Sequence, residues 1–184
     1  MAFRFNCVMR KLDHLEIPRL SPNSLDQHER HPIRVLLHDI RSAHNVGAVL
    51  RTADGAFIEE VIISGFTPTP DHKSVIKTAL GAQDFVPWRH ISDVPTEIKN
   101  LKQQGYLIAV LEITTNSIEI DSLTQAQFPI CLIAGNEVDG VEDALIELAD
   151  VALEIPQYGA KQSLNVSVAV GIALFDLVRQ FRRF

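Results

Sequence analysis

The fold is best predicted from residues 130–140, ICLIAGNEVDG, where a short apolar run passes directly into a turn of glycine, asparagine and acidic residues. A continuous apolar run of this kind is typical of a strand covered on both faces, as in a parallel sheet. Ligand sites in parallel α/β sheets lie just beyond the carboxyl ends of such strands. We therefore expect the turn between Gly135 and Gly140 to border a site and to hold Glu137 close to the strand end.

Strand and helix patterns alternate on both sides of this run. Short apolar runs predict strands at residues 34–39, 61–64, 107–111, 130–134 and 151–155, and a further short strand is expected at 85–88. Helical patterns occupy residues 46–56, 71–79, 93–104 and 141–148, and a last helix runs from about 164 to 181. This alternation predicts an α/β fold, a three-layer sandwich around a mainly parallel sheet.

Length and composition bound the class of protein. The chain has 184 residues, 46% hydrophobic and 22% charged, which is typical of one globular domain. Residues 1–30 are polar and interrupted by proline, so we expect an N-terminal extension with one short helix near its start, followed by a single domain over residues 31–184. No apolar run approaches the roughly 18 residues of a membrane helix and no signal-peptide core is present, which predicts a cytoplasmic protein.

Neither cysteine nor histidine suggests a metal site. Cys7 and Cys131 are too scattered for a disulfide framework or a thiolate site, and Cys131 lies in the apolar run as a small core residue. No paired H-x-x-x-H or C-x-x-C occurs, and His28 and His31 lie at or beside the polar extension. We therefore expect no metal.

A second stretch, HNVGAVLRTA at residues 44–53, has the pattern of a helix start that follows a strand. Asn45 is a suitable N-cap, and Gly47, Arg51 and Gly55 recur every fourth residue, so Arg51 would lie between two residues without side chains. That arrangement leaves room for a ligand beside a guanidinium. The alternative is that Asn45 only caps the helix, Gly47 eases packing and Arg51 is a surface cation.

A third stretch, IPQYGAKQSLNVS at residues 155–167, bends after a strand at Pro156 and Gly159. Ser163 or Asn165 would then begin the last helix, whose free N–H groups suit a polar or anionic ligand. Each of the three stretches has a plain alternative when taken alone. The third could be helix capping, and the Glu137 turn could cap the helix that follows it instead of orienting a ligand or pairing with Arg51.

The charge is unevenly distributed along the chain. The net charge of −6 argues against a nucleic-acid partner, yet residues 1–51 hold eight Lys or Arg against five Asp or Glu. Residues 100–155 hold one basic residue and ten acidic ones. We expect an RNA-binding face that comprises the N-terminal extension, Arg41, His44 and Arg51, joined by Lys73, Lys77 and Arg89.

In order, N-x-G-x-x-x-R-T-A, G-N-E-x-x-G and I-P-x-x-G-x-x-x-S-L-N-V-S resemble the three motifs of the SpoU/TrmH family of RNA ribose 2′-O-methyltransferases, in the SPOUT superfamily. The resemblance runs from residue 33 to the C-terminus. It implies S-adenosyl-L-methionine as methyl donor, a tRNA or rRNA substrate, a homodimer and a C-terminal trefoil knot. General folding rules alone predict an unknotted sheet, because knots are nearly absent from proteins.

The resemblance also assigns residues to the site. The polar residues that match the motifs, and to which catalysis is assigned, are Asn45, Arg51, Glu137, Ser163 and Asn165. The cofactor is expected against three loops, at Leu111, Glu112, Ala134, Gly135, Asn136, Ile155, Gly159, Ser163 and Leu164. A guanidinium holds its proton tightly, so we expect Arg51 to stabilise the developing alkoxide or a neighbouring phosphate, and to act as a base only if its pKa is strongly depressed.

Two other functions are compatible with the same residues. A knotted dimer of this kind could bind RNA or an adenosine-type ligand without methyl transfer, or it could methylate a base. Against the first, all five polar motif positions are present. Against the second, the S-L-N-V-S motif favours ribose.

Overall fold

A computed structural model describes residues 10–13, 15–18 and 20–183. The strands are β1 (His31–His38), β2 (Ile58–Ser64), β3 (Trp88–Ile91), β4 (Leu107–Leu111), β5 (Ile118–Glu119), β6 (Ile130–Ala134) and β7 (Val151–Glu154). The helices are α1 (Ala43–Ala56), α2 (Lys73–Ala79), α3 (Val94–Gln103), α4 (Asp143–Ile146) and α5 (Val166–Arg182). None of the helices described is long and apolar enough to cross a membrane.

The seven strands form one sheet in the order β3-β2-β1-β6-β4-β7-β5, and each neighbouring pair is parallel. All carboxyl ends therefore lie along the same edge. Strand β6 is inserted between β1 and β4, and Leu37 of β1 lies opposite Ala134 of β6. The sheet thus brings the turn after β6 beside the connection from β1 to α1, although almost a hundred residues separate them.

Helices cover both faces of the sheet. Val35 and Leu37 of β1 point into a core closed by α1, α2 and α5, whereas Leu36 points into a second core closed by α3 and α4. Cys131 is fully buried in the second core, and burial raises the pKa of its thiol to about 12. The predicted three-layer α/β sandwich with a parallel sheet is confirmed, and Cys131 is a core residue as expected.

Some predicted elements were misplaced. Strand β3 begins at Trp88 and not at Phe85, because a 3-10 turn at Ala82–Asp84 occupies the sequence before it and Val86 is taken into the core. The two-residue strand β5 was not predicted, since both of its residues are exposed and carry no apolar pattern. Helix α4 has four residues instead of the eight expected. The short helix expected near the start of the extension lies outside the described residues.

Helix starts decide which polar side chains remain available for a site. Helix α1 begins three residues earlier than predicted, and the hydroxyl of Ser42 accepts its capping bond from the Asn45 amide at 3.4 Å. The prediction that Asn45 is the N-cap was therefore wrong, and its side chain is left for other contacts. Helix α5 begins at Val166 with Asn165 as its cap, so Asn165 and not Ser163 starts the last helix.

Candidate active site

The second and third motif stretches line a cavity of about 720 Å³ at the carboxyl edge of the sheet, and the first stretch adjoins them through Asn45, which is outside the lining. The ends of β4, β6 and β7 form its floor, and the loop between β7 and α5 forms one wall. Of the expected cofactor contacts, those in the lining are Leu111, Glu112, Ala134, Gly135, Asn136, Ile155, Ser163 and Leu164. Gly159 is exposed on the same loop and is outside the lining.

Glu137 fastens the turn after β6 to the start of α1. Its carboxylate accepts hydrogen bonds from the backbone N–H groups of Arg41 at 2.8 Å and Ser42 at 3.0 Å, and from Asn45 Nδ2 at 2.8 Å. Burial raises the pKa of Glu137, but these donors outweigh burial and leave the pKa below its ordinary value. Glu137 is therefore ionised at neutral pH and organises the loop, and it does not pair with Arg51 as one interpretation of the sequence supposed.

Asn45 connects this turn to the third motif. Asn165 Nδ2 donates to Asn45 Oδ1 at 3.1 Å, while Asn165 Oδ1 accepts from the backbone N–H of Ser167 at 2.9 Å. A continuous hydrogen-bonded chain thus runs from Glu137 through Asn45 to Asn165 and contains one residue from each motif. Such chains fix side-chain orientation, because every member is held at both ends.

The turn between Gly135 and Gly140 is itself closely packed. Asn136 and Gly140 exchange two backbone hydrogen bonds of 2.9 Å, and a Cβ at Gly135 would lie 2.2 Å from the Gly140 oxygen. Glu112, at the end of β4, accepts from the Val141 N–H at 3.1 Å. Gly135 must therefore lack a side chain because the backbone of Gly140 and Val141 packs directly against it.

Arg51 lies apart from this network. It is exposed on α1, is absent from the cavity lining, and makes no hydrogen bond or ion pair within the part of the chain described. A Cβ at Gly47 would lie 1.9 Å from Thr78 Oγ1, so Gly47 serves the packing of α1 on α2, as the alternative interpretation held. A Cβ at Gly55 would make an ordinary contact with Phe175 at 3.7 Å.

Several lining residues were missed by sequence reasoning. They are Ile113, Val138, Asp139, Gly140, Val141, Asp143, Ile146, Leu153, Glu154, Gln157, Gln162 and Val166. Most of them lie within a few residues of the strand ends already singled out. Including more of the residues that follow each predicted strand would therefore have found them. Nothing in the sequence indicated that the Glu112 side chain holds the turn after β6, where it accepts a hydrogen bond from Val141.

The cavity is strongly acidic. Five carboxylates lie in its lining, those of Glu112, Glu137, Asp139, Asp143 and Glu154, and its described lining contains no Lys or Arg. A concave surface with this charge favours a ligand that carries positive charge.

Of the basic residues expected to bind RNA, Arg89 is otherwise engaged. Its guanidinium pairs with Glu60 at 2.9 Å and Glu97 at 2.5 Å, on the α3 side of the sheet. Arg89 therefore does not contribute a free cation to an RNA-binding face, which corrects that part of the prediction.

A further cluster of side chains surrounds His38. Its Nε2 atom lies 3.6 Å from a carboxylate oxygen of Asp39 and 3.7 Å from a carboxylate oxygen of Glu142.

Residues 32–175 match the SpoU rRNA Methylase family. The 23S rRNA (guanosine-2′-O-)-methyltransferase RlmB of Haemophilus ducreyi is 33% identical over 181 residues, covering 94% of this chain and 70% of that protein. RlmB of Ralstonia nicotianae is 34% identical over 96% of the chain and 70% of the relative. The chain belongs to the SpoU methylase family, and the resemblance drawn from the three motifs is confirmed.

Solved structures agree with this assignment. The AdoMet-bound rRNA methyltransferase of Sinorhizobium meliloti superimposes with a TM-score of 0.76 at 28% identity, covering 88% of this chain and 61% of that one. The A. aeolicus TrmH/SpoU tRNA modifying enzyme gives 0.77 at 26% identity, covering 88% and 81% respectively. This chain therefore spans about three fifths to four fifths of the solved relatives.

Proposed function

We propose that the protein is an S-adenosyl-L-methionine-dependent RNA methyltransferase that methylates a ribose 2′-hydroxyl of rRNA or tRNA. The observation that carries the proposal is the chain of hydrogen bonds from Glu137 through Asn45 to Asn165, which joins the three motifs next to the cavity that Glu137 and Asn165 line. The names of the relatives support it, since RlmB proteins are 23S rRNA guanosine-2′-O-methyltransferases. An RNA substrate also implies a cytoplasmic location.

The cavity suits the proposed cofactor by shape and charge. S-adenosyl-L-methionine carries a sulfonium and an ammonium group, and the lining offers carboxylates without an opposing cation. Backbone at Leu111, Gly135, Ile155 and Leu164, which all line the cavity, would hold the adenosine part. When bound, the cofactor supplies an already activated methyl group, so the protein needs to supply alignment and charge stabilisation.

Arg51 is the residue we assign to the ribose. A 2′-hydroxyl that attacks a methyl group develops negative charge on its oxygen, and a guanidinium close by would stabilise that charge or hold the adjacent phosphate. Asn45 and Asn165 would orient the nucleotide from the hydrogen-bonded chain. Because Arg51 lies outside the cavity lining, the ribose must be held between the cavity and the exposed face of α1.

A homodimer would help to enclose such a ribose. Helix α5 exposes Val168, Ile172 and Phe175 on one face, with 50%, 42% and 54% of each residue accessible. These residues recur at helical spacing, and Gly171 of the same helix meets Thr52 of α1, next to Arg51. We infer that a second copy of the chain packs on this apolar face and so lies beside Arg51.

The C-terminal trefoil knot is proposed on the resemblance. Gln180 Nε2 of α5 donates to the Ile120 carbonyl at 2.9 Å in a buried position. Ile120 belongs to the connection between β4 and β6, so this hydrogen bond ties the last helix to that connection.

The proposal is tested by two measurements on the purified chain. Calorimetry should show that S-adenosyl-L-methionine and S-adenosyl-L-homocysteine bind without RNA and without added metal. Radiolabelled methyl groups should then enter RNA, and digestion of that RNA to nucleosides should release the label as a 2′-O-methylnucleoside. If the cofactor binds but no methyl group enters RNA, the protein binds without transfer; label on a base would make it a base methyltransferase.

A further inference from the structure

Helix α2 has one buried and one exposed face. Val75 and Ala79 are buried against α1, where Gly47 allows the two backbones to approach closely. The opposite face carries Lys73, Ile76, Lys77 and Leu80 at helical spacing, all of them exposed. We call these four residues the α2 ridge. It alternates cationic and apolar side chains along one side of the molecule.

The lysines of the α2 ridge are free to bind an anion. Neither Lys73 nor Lys77 forms an ion pair in the described part of the chain. By contrast, Lys102 pairs with Asp150 at 2.6 Å, and Arg89 pairs with two carboxylates. The ridge thus presents two positive charges that no carboxylate in the described part of the chain neutralises.

The backbone conformation exposes two apolar side chains, that of Leu80 at the end of the α2 ridge and that of Phe66 in the turn after β2, seven residues before Lys73. Leu80 is 68% exposed and lies at φ 52°, a left-handed position that usually favours glycine. Phe66 is 59% exposed, and its N–H donates to Asp39 Oδ1 at 3.0 Å. A Cβ at Gly65 would collide with the same oxygen at 1.7 Å, so this turn is fixed in the shape that exposes Phe66.

Two contacts join this surface to the candidate active site. Asn136 Nδ2, in the turn that borders the cavity, donates to the Asp39 carbonyl at 2.9 Å, and Asp39 in turn holds Phe66. On the other side, Gly47 contacts α2 and precedes Arg51 by one helical turn. An extended ligand could therefore reach from the α2 ridge to Arg51.

We propose that the α2 ridge together with Phe66 docks an unpaired segment of the RNA substrate, an inference that rests on the proposed function. Lys73 and Lys77 contact successive phosphates, and Phe66 stacks on a base. Unpaired lysines on α2 and an exposed aromatic ring on the connection that leads into α2 match a single strand, which offers both phosphates and base faces. A duplex hides its base faces, and an apolar protein partner would leave the two lysines without a role.

Two variants of the full chain test the proposal, Lys73→Glu/Lys77→Glu and Phe66→Ala, with Lys99→Glu as the matched control. Lys99 is an exposed lysine on α3, which covers the other face of the sheet. The probes are a labelled 23S rRNA hairpin with an unpaired loop and a fully paired RNA duplex of the same length. Affinity is measured across a potassium chloride series, alongside cofactor affinity and thermal unfolding.

The double variant should bind the hairpin about tenfold or more weakly, and its salt slope should fall by about 1.4, the value for two single-strand phosphates. Phe66→Ala should weaken hairpin binding about fivefold or more and leave duplex binding unchanged. Phe66→Leu, which keeps apolar volume without the ring, should behave like Phe66→Ala. The control should match wild type throughout, and cofactor affinity should be unchanged in every variant.

Unchanged hairpin affinity and salt slope in the double variant would overturn the proposal, and so would equal losses for hairpin and duplex in Phe66→Ala. Wild-type methyl transfer is measured in the same preparations. If wild type transfers methyl groups while the double variant binds RNA normally, only the docking surface is wrong. If wild type transfers none to any RNA, the proposed function itself fails.

Discussion

At the scale of single residues, Glu137 is held by donors from three neighbours, and this contact depends on its charge. Glu137→Gln keeps the shape but places an amide N–H group against one of these donors, so we expect it to lower the free energy of unfolding by about 1 kcal/mol at neutral pH. Because the folded state lowers the Glu137 pKa, the stabilisation is fully present above the ordinary value of 4.5 and disappears as pH falls through the lower, folded value.

Urea unfolding of wild type and variant from pH 3 to 8 measures this difference. Glu147→Gln is the matched control, since Glu147 is an exposed glutamate for which no side-chain hydrogen bond is described. A Glu137→Gln difference that persists unchanged at the acid end would show that the carboxylate charge is not what holds the loop.

Arg51 is the residue that separates binding from chemistry. Since it lies outside the cavity lining, Arg51→Ala should leave cofactor affinity near the wild-type value and reduce methyl transfer by far more than tenfold. Arg51→Lys should recover part of the rate if positive charge is what matters. An Arg51→Ala variant that keeps above about a tenth of the wild-type rate has lost less than about 1.4 kcal/mol of barrier stabilisation, which would remove Arg51 from the centre of the mechanism.

At the scale of elements, two glycines on α1 offer a matched pair. Gly47→Ala drives a methyl group into Thr78 and the Val75 carbonyl, so it should separate α1 from α2 and destabilise the fold by about 1–3 kcal/mol. Gly55→Ala meets only an ordinary contact and improves helix propensity, so it should be neutral or stabilising by about 0.5–1 kcal/mol. Chemical unfolding of both variants checks the pair, and equal stabilities would contradict the close approach of the two helices.

The exposed face of α5 makes a prediction about assembly. Wild type should have a mass in solution about twice the 20.5 kDa of the chain, and Ile172→Glu should shift it toward a monomer by placing charge in the apolar contact. Ile76→Glu, on the α2 ridge, alters an equally exposed isoleucine and should leave the dimer intact. Light scattering at several concentrations decides the matter, and a wild-type monomer at all of them would contradict the inferred dimer.

The central strands were predictable from continuous apolar runs such as residues 130–134. A strand of this kind needs both faces of the sheet covered by helices, so it marks the centre of a parallel sheet. Boundaries were less predictable, as at the start of α1, where Ser42 and Asn45 are both good caps and only the tertiary bond to Glu137 decides between them. Strand β5 has only two residues, which is too short to show an apolar pattern. The sequence also could not show that Arg51 stays apart from Glu137. The relative position of these two residues depends on the order of the strands in the sheet, which the sequence pattern does not give.

At the scale of the whole molecule, the sheet order explains how distant motifs form one site. Inserting β6 between β1 and β4 brings residues of the first and second motifs within hydrogen-bond distance, and α5 delivers the third. The resulting acidic cavity and the free cations on α1 and α2 are separate regions of opposite charge. This separation fits a cationic cofactor on one side and an anionic polymer on the other.

The most direct test of the central claim is mass-spectrometric mapping of ribose methylation in RNA treated with the purified chain and S-adenosyl-L-methionine. The account predicts a 2′-O-methylated nucleoside at a defined position with wild type, and its absence with Arg51→Ala although that variant still binds the cofactor. No methylated nucleoside in any rRNA or tRNA, or methylation found only on a base, would contradict it.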